Sequence, residues 1–470
     1  MKILLINPPD KNMIVADNPS FIDEERGINP PLGLLYIAAY LRKNSNHKVE
    51  VLDTLVEGIG YDSLSEVIRQ RSPDLVGITA MTFTLVDVMK VVGIIKAVSA
   101  GIKVVLGGPH TSIYPRETAG LEGIDFVISG EGERVFLELV NNIGNYERLL
   151  SLKGVYFKHD GQIKGEGQTD FIKDLDNLPF PARDLVAYKN YTSILSIKSP
   201  ITTMFTSRGC PFNCNFCCRP HMGRQFRARC AKNVVDEIEA SKAMGIEEFF
   251  LYDDTFTIDK KRALEICDEI ISRRLNIVWD IRARVDTIDE ELIKRLKKAN
   301  CVRIHYGVEA GTDKILKVLN KGITLKQVED AFRLTKKYGI LTLAYFMIGS
   351  PQETRDDILK TISFAKKLNP DYVHITLTTP FPATNLYKMA LENKVYETDY
   401  WREFALDPSK GVVSRYWEQE LDKKELFGLL KLAYKEFYSR PGYIFSNILK
   451  IRSLSDAKKK FKAGWNILTS

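Results

Sequence analysis

Cys210, Cys214 and Cys217 stand in the run Cys-Pro-Phe-Asn-Cys-Asn-Phe-Cys, a C-x3-C-x2-C triplet. Three thiolates on one short loop can hold three corners of a cubane iron–sulfur cluster and leave a fourth iron open to another ligand. Structural zinc sites use four ligands, commonly a C-x2-C pair matched by a second pair downstream, and the sequence contains no such second pair. The triplet follows an apolar run, Ile201 to Thr206, and a Ser207-Arg208-Gly209 turn, so it lies just past the end of a strand.

The elements that must carry this loop repeat as strand and then helix. Strands are expected at Thr202–Thr206, Glu248–Tyr252, Val278–Ala283, Val302–Gly307, Leu341–Met347 and Tyr372–Leu377, with amphipathic segments filling the gaps. Six such units predict a partial (β/α)6 barrel, TIM-like and open on one side, over residues 201–385. Functional groups in barrels gather at the carboxyl ends of the strands. Those ends carry Asp253 and Asp254, Arg282 and Arg284, Glu309 between Gly307 and Gly311, and Ile348-Gly-Ser-Pro-Gln-Glu-Thr354. Carboxylates suit an amino group, and a guanidinium can grip a carboxylate with two parallel hydrogen bonds.

Residues 1–150 show the same alternation, with strands expected at Lys2–Ile6, Lys48–Leu52, Leu75–Thr79, Lys103–Leu106 and Phe126–Ile128. The fold class is therefore α/β: a Rossmann-like doubly wound parallel sheet, then the partial barrel, then a helical C-terminal segment over 386–470. Residues 151–200 read as a linker with a short hairpin around His159-Asp160-Gly161, followed by a stretch stiffened by Pro179 and Pro181. Ligands of such sheets bind at the carboxyl ends, here Asn7-Pro8-Pro9, Thr79-Ala80-Met81, Gly107-Gly108-Pro109-His110 and Ser129-Gly130-Glu131-Gly132-Glu133.

The triplet resembles the signature of radical S-adenosylmethionine (SAM) enzymes, and the strand-end segments ahead of it resemble the cobalamin-binding domain of the cobalamin-dependent members. The resemblance covers residues 1 to about 440. It implies a 4Fe-4S cluster on Cys210, Cys214 and Cys217, with SAM chelating the open iron and yielding a deoxyadenosyl radical. It assigns SAM contacts to Phe216, Asp253, Asp254, Arg282 and Glu309. Cobalamin contacts fall on Asn7, Pro8, Thr79, Met81, Gly107, Gly108, Gly130 and Glu131. Two positions depart from the family pattern: Ala310 where Ser is common and Gln352 where Gly is common. The loop after the first strand, Pro9-Asp10-Lys11-Asn12-Met13, lacks the His that ligates cobalt in other cobalamin proteins, so the resemblance implies cobalamin without a protein imidazole, the alternative being a domain that has lost cobalamin and kept only the fold. The implied reaction modifies an unactivated carbon, with methyl transfer the first reading. Oxidative cyclisation or ring rearrangement of a lipid or tetrapyrrole is the alternative, and a non-enzymatic cofactor sensor is the competing class.

Composition narrows the partners. The chain has 470 residues and a net charge of +7. Nine Lys/Arg against two acids between 431 and 470 account for all of that charge, so no protein-wide nucleic-acid field is expected. Seven cysteines with three in the cluster motif fit a reducing cytoplasm. The expected partners are a small-molecule or lipid-like substrate and a low-potential electron donor such as ferredoxin or flavodoxin. The basic, aromatic stretch 440–470 suits peripheral contact with an anionic membrane, the alternative being a solvated helix. Cys218 reads as a free thiol, Cys230, Cys267 and Cys301 as small buried residues, and His110 as a satisfied loop histidine. Tyr306 and His305 alternate on one strand, so at most one faces the barrel interior.

Overall fold

The computed structural model of the chain describes residues 1–14 and 27–449. Strands β1 (Lys2–Asn7), β2 (Lys48–Asp53), β3 (Leu75–Thr79), β4 (Lys103–Gly107) and β5 (Phe126–Ile128) form a parallel array in the order β2-β1-β3-β4-β5. The central strands are apolar along most of their length because helices cover both faces, while the edge strand β2 carries Lys48 and Glu50. Ile3 and Leu5 pack with Leu35 and Phe136 on one side, while Leu4 and Ile6 pack with Val88 and Val91 on the other. Strand order reverses at β1 and β3, the switch point at which such sheets open a crevice. The hairpin β6 (Val155–His159) and β7 (Gln162–Lys164), read from sequence as part of the linker, pairs antiparallel on β5 and extends this sheet to seven strands.

The second sheet comprises β8 (Ile201–Met204), β9 (Glu248–Leu251), β10 (Val278–Ala283), β11 (Cys301–Glu309), β12 (Leu341–Ile348) and β13 (Tyr372–Leu377), parallel and in sequential order. Strands β8 and β13 do not pair, so the barrel is open. Its outward face buries Trp279, Ile281, Ile304, Tyr306 and Phe346 in the largest core. The surrounding helices start at side-chain caps that the sequence supplies: Asp259, Asp289, Thr324 and Thr354 each accept a hydrogen bond from the first turn.

The C-terminal segment closes two surfaces. Helix Lys423–Tyr438 buries Leu426, Leu429, Leu430, Ala433 and Phe437 against the barrel, as its apolar stripe predicts. It also satisfies the free edge of β13. The Tyr434 hydroxyl bonds both N–H and C=O of Ile375 at 2.9 Å, and Tyr438 does the same for Val373 at 3.2 and 3.0 Å. Helix Tyr400–Leu406 instead packs Trp401 and Phe404 with Leu85 and Tyr114 of the N-terminal sheet's helices, and Arg402 pairs with Glu117 at 2.8 Å. No described helix is long and apolar enough to cross a membrane.

The two sheets meet at their carboxyl edges. Past β8, Arg208 reaches Glu131 at 3.0 Å and Glu133 at 2.5 Å, both just past β5. Arg227 joins Glu131 at 2.8 Å. Tyr191 donates to Asp53 at the end of β2 at 2.7 Å, and Arg183 pairs with Glu237 at 2.6 Å.

Candidate functional site

The cysteine loop is held from both sides. Asn215 donates its N–H to Leu319 O at 3.0 Å and its amide to Val318 O at 2.9 Å, while Leu386 N–H donates to Asn215 O at 2.8 Å. Gly223 N–H donates to Arg219 O at 2.9 Å, closing the chain just past the triplet. Cys210 and Cys214 are buried and Cys217 is half-buried. Cys214 and Cys217 line a cavity of about 220 Å³ with Arg219 and Arg224. Among the described residues no three His, Cys, Asp or Glu side chains converge closely enough to hold a single metal ion. Thiolates that each bind a different iron of a cube need no such common point.

The thiols differ electrostatically. Cys214 is held below the ordinary thiol range by the neighbouring Cys217 thiol, with Lys321 and Arg284 adding positive potential against desolvation. Cys217 is pushed up by the neighbouring Cys214 and by burial, and Cys210 is raised by burial. Arg284 stacks on the Phe212 ring at 3.7 Å, pairs with Asp286 at 2.9 Å and points a nitrogen at Cys214 Sγ, 3.9 Å away. Phe216 is half-buried, with the Lys321 ammonium 5.7 Å from its ring centre.

The residues expected at SAM separate into two groups. Asp253 is fully buried, and its carboxylate accepts from Thr206 N–H at 2.6 Å, Thr206 hydroxyl at 2.5 Å, Ser207 N–H at 3.1 Å and Ser207 hydroxyl at 2.6 Å. Four donors use up its acceptor capacity, and it braces the turn into the cysteine loop. Neither Asp253 nor Asp254 caps a helix; Asp259 does that. Asp254 is open to solvent yet crowded by protein, as a group at a concave mouth must be, and desolvation and the Asp253 charge raise its pKa. Arg219 and Arg282 lie within its electrostatic reach. Arg282 stacks on Tyr252 at 3.7 Å. Glu309 is buried against Lys321 at 2.7 Å with φ 71°, a left-handed backbone uncommon outside glycine. Gly307 makes room for that pair, since a Cβ there would fall 2.3 Å from Glu309 Oε1. Gln352, where glycine is common, also takes a positive φ of 61° and is held by Glu420 at its N–H (2.7 Å) and by Lys314 at its carbonyl (2.7 Å).

The barrel interior is polar and aromatic. His305 contacts Tyr345 OH at 3.1 Å and Asp280 at 3.3 Å, and burial keeps it neutral below its ordinary range. Tyr345 meets His374 edge-on at 5.6 Å. Tyr306 turns the other way and bonds Thr335 on the outer helix at 2.8 Å, so His305 is the residue of that pair facing inward.

At the N-terminal sheet, Asn7 donates to Asp53 at 2.8 Å and Pro8 is buried behind it. Met81 is exposed beside Thr79, and Gly107 has no atom within 4 Å of where a Cβ would stand. Gly108 (φ 115°) lies against Ala80 O, where a side chain would clash at 2.8 Å. The Glu131 carboxylate is consumed by Arg208, Arg227 and Ile172 N–H (2.6 Å), and Gly130 abuts Thr169 and donates its N–H to Ser112 Oγ at 3.0 Å. His110 is only half satisfied: Nδ1 meets Thr82 at 3.1 Å, while buried Nε2 has no partner. Ser129 Oγ past β5 is likewise buried and unpaired. Cys230, expected buried, is exposed and accepts from Asn233 N–H at 3.4 Å as a helix cap.

Comparison with known proteins decides the family. The family model for the Radical SAM superfamily matches residues 204–365, and that for the B12 binding domain matches residues 22–140. An uncharacterized methyltransferase of Pyrococcus horikoshii is 35% identical over 96% of this chain and 95% of its own length. The chain belongs to the cobalamin-dependent radical SAM family. The anaerobic magnesium-protoporphyrin IX monomethyl ester cyclase of Rubrivivax gelatinosus is 31% identical over 88% of this chain and 75% of its own. Two solved structures share the fold. The radical SAM methyltransferase TsrM of Kitasatospora setae has a TM-score of 0.67 at 21% identity, over 83% of this chain and 75% of its own. The cobalamin-dependent enzyme OxsB has a TM-score of 0.73 at 18% identity, over 99% and 72%.

The cofactors of this radical SAM family are a 4Fe-4S cluster, SAM and cobalamin, and the residues present fit them. Two of the three thiols, Cys214 and Cys217, border a cavity, Asp254 and Arg282 offer opposite charges at the barrel mouth, and the open space at Gly107 lies on the same sheet edge as the orphaned His110 and Ser129 atoms. Lys321, Arg219 and Phe212 belong to the cysteine site although nothing in the sequence singled them out. The one available signal was the position of Phe212 and Arg219 within and just after the triplet.

Proposed function

We propose that this enzyme transfers a methyl group to an unactivated carbon of a small molecule held in the barrel. The observation that carries the reading is the meeting of the two carboxyl edges through Arg208, Glu131, Glu133 and Arg227, which turns both cofactor-binding edges toward one interface. Bound there, the cluster and SAM supply the one-electron chemistry that removes a hydrogen atom from carbon, and cobalamin supplies a methyl group. Cys210, Cys214 and Cys217 would hold the cluster, with Lys321 and Arg284 favouring the thiolate at Cys214. Asp254 would take the amino group of SAM and Arg282 its carboxylate. Tyr252, His305, Tyr345 and His374 would line the substrate chamber with neutral polar and aromatic groups, which suits a ring-bearing molecule. The methyltransferase relative supports methylation.

The cyclase relative supports a second reading, oxidative cyclisation of a tetrapyrrole. Anaerobic turnover with methyl-deuterated SAM and a small-molecule extract separates the two. Deuterium in a carbon-bound methyl of a product supports methylation, and SAM consumption with an unlabelled, dehydrogenated product supports cyclisation. Reconstituted protein that takes up zinc and no iron would sink both. An external low-potential electron donor such as ferredoxin or flavodoxin and a cytoplasmic location belong to the same reading. For the tail, residues 450–470 lie outside the described part, and helix Pro441–Leu449 exposes Ile444 and Phe445. Membrane-surface contact there is tested by liposome co-sedimentation with and without residues 440–470, equal binding rejecting it.

A further inference from the structure

We propose that Arg219 tunes the iron–sulfur cluster, donating a hydrogen bond from its free Nη2 to a sulfur of the bound cluster and holding its reduction potential up. The inference rests on the cluster reading of Cys210, Cys214 and Cys217. The guanidinium has five N–H donors in a fixed fork. One, on Nη1, goes to the Cys210 carbonyl at 3.3 Å. The sulfurs of Cys217, Cys210 and Cys214 lie within its electrostatic reach. Nη2 is buried and has no partner. The same side chain lines the cavity that Cys214 and Cys217 border. A buried cationic donor left unpaired beside thiolates is unfavourable unless an acceptor arrives, and cluster sulfurs are acceptors.

The fixed charge and the N–H···S bond both favour the more negative, reduced state of a cluster, because potentials depend on local charge and on hydrogen bonds to the sulfurs. A structural role alone would be served by Nη1, which ties the Cys210 carbonyl, and by the Arg219 carbonyl, which accepts from Gly223 N–H. Such a role leaves the potential unmoved.

The test is a redox titration of the anaerobically reconstituted full chain, followed by electron paramagnetic resonance, on wild type, Arg219→Gln and Arg219→Lys. The expected midpoint of R219Q is more negative than wild type, with R219K between them because charge remains and the fork is lost. R219Q at full iron content with the wild-type midpoint overturns the proposal. If R219Q takes up no iron, R219K decides: a lowered midpoint supports the proposal and an unchanged one overturns it. Failure of the wild-type chain itself to take up iron would instead overturn the cluster reading.

Discussion

At the cysteine loop each side chain is specialised by its neighbours. Cys214 is held low by the neighbouring Cys217 thiol and by two cations, Lys321 and Arg284. Replacing Cys214 or Cys217 by Ala is expected to reduce bound iron after reconstitution to background, measured by metal analysis, with the fold kept because both sit on a loop. His110 makes a separate statement about pH. Burial lowers it from the ordinary 6.5 to about 3, so the folded chain stays unprotonated where the unfolded chain binds a proton. Between about pH 6.5 and 3 the unfolded state therefore holds the extra proton, and stability falls as pH drops, by at most about 1.4 kcal/mol per pH unit. Thr82 and Tyr114 are its polar neighbours and supply no compensating negative charge. His110→Gln is expected to flatten this slope, read from melting temperatures at pH 7 and pH 5. An equal slope in the variant would assign the effect elsewhere.

Among the elements, β13 shows how an open barrel avoids a bare edge. Its outward N–H and C=O groups at Val373 and Ile375 are met by two tyrosine hydroxyls one helical turn apart on Lys423–Tyr438. The i, i+4 spacing of Tyr434 and Tyr438 is visible in the sequence, but the sequence does not say that their hydroxyls meet a strand edge. Tyr434→Phe removes two hydrogen bonds and leaves a buried donor and acceptor unpaired. The expected loss is roughly 1–3 kcal/mol, seen as a lower urea midpoint, and a loss within error would show that water enters the edge. The hairpin β6–β7 teaches a related point: its turn was legible, but which sheet it joined depended on the unpaired edge of β5.

Over the whole molecule, the interface between sheets is built from buried ion pairs. Arg208, Glu131, Arg227 and Glu133 form the group between the sheets, and Arg183 of the linker joins Glu237 and Arg229 in a second group that ties the linker to the barrel. Taking one partner from a buried pair leaves an uncompensated charge and costs on the order of 3–5 kcal/mol. Glu131→Gln is accordingly expected to lower the unfolding midpoint, with cobalamin uptake following stability. Were Glu131 a direct cofactor contact, uptake would fall at an unchanged midpoint. Helix Tyr400–Leu406 adds an apolar clasp, since Trp401 and Phe404 pack with Leu85 and Tyr114 across some three hundred residues of chain.

The sequence by itself determined the two parallel sheets, because apolar period and cap residues are local properties. It also determined the cysteine triplet, whose chemistry depends on spacing along a single loop. Only the tertiary structure decided which polar residues are free. Asp253 and Asp254 are adjacent and alike in sequence, yet one is saturated by Thr206 and Ser207 and the other faces solvent at a concave mouth. Glu131 and Lys321 exchange importance for the same reason: a charged side chain's task is set by the partner that reaches it, and those partners, at positions 208, 227 and 309, come from other strands.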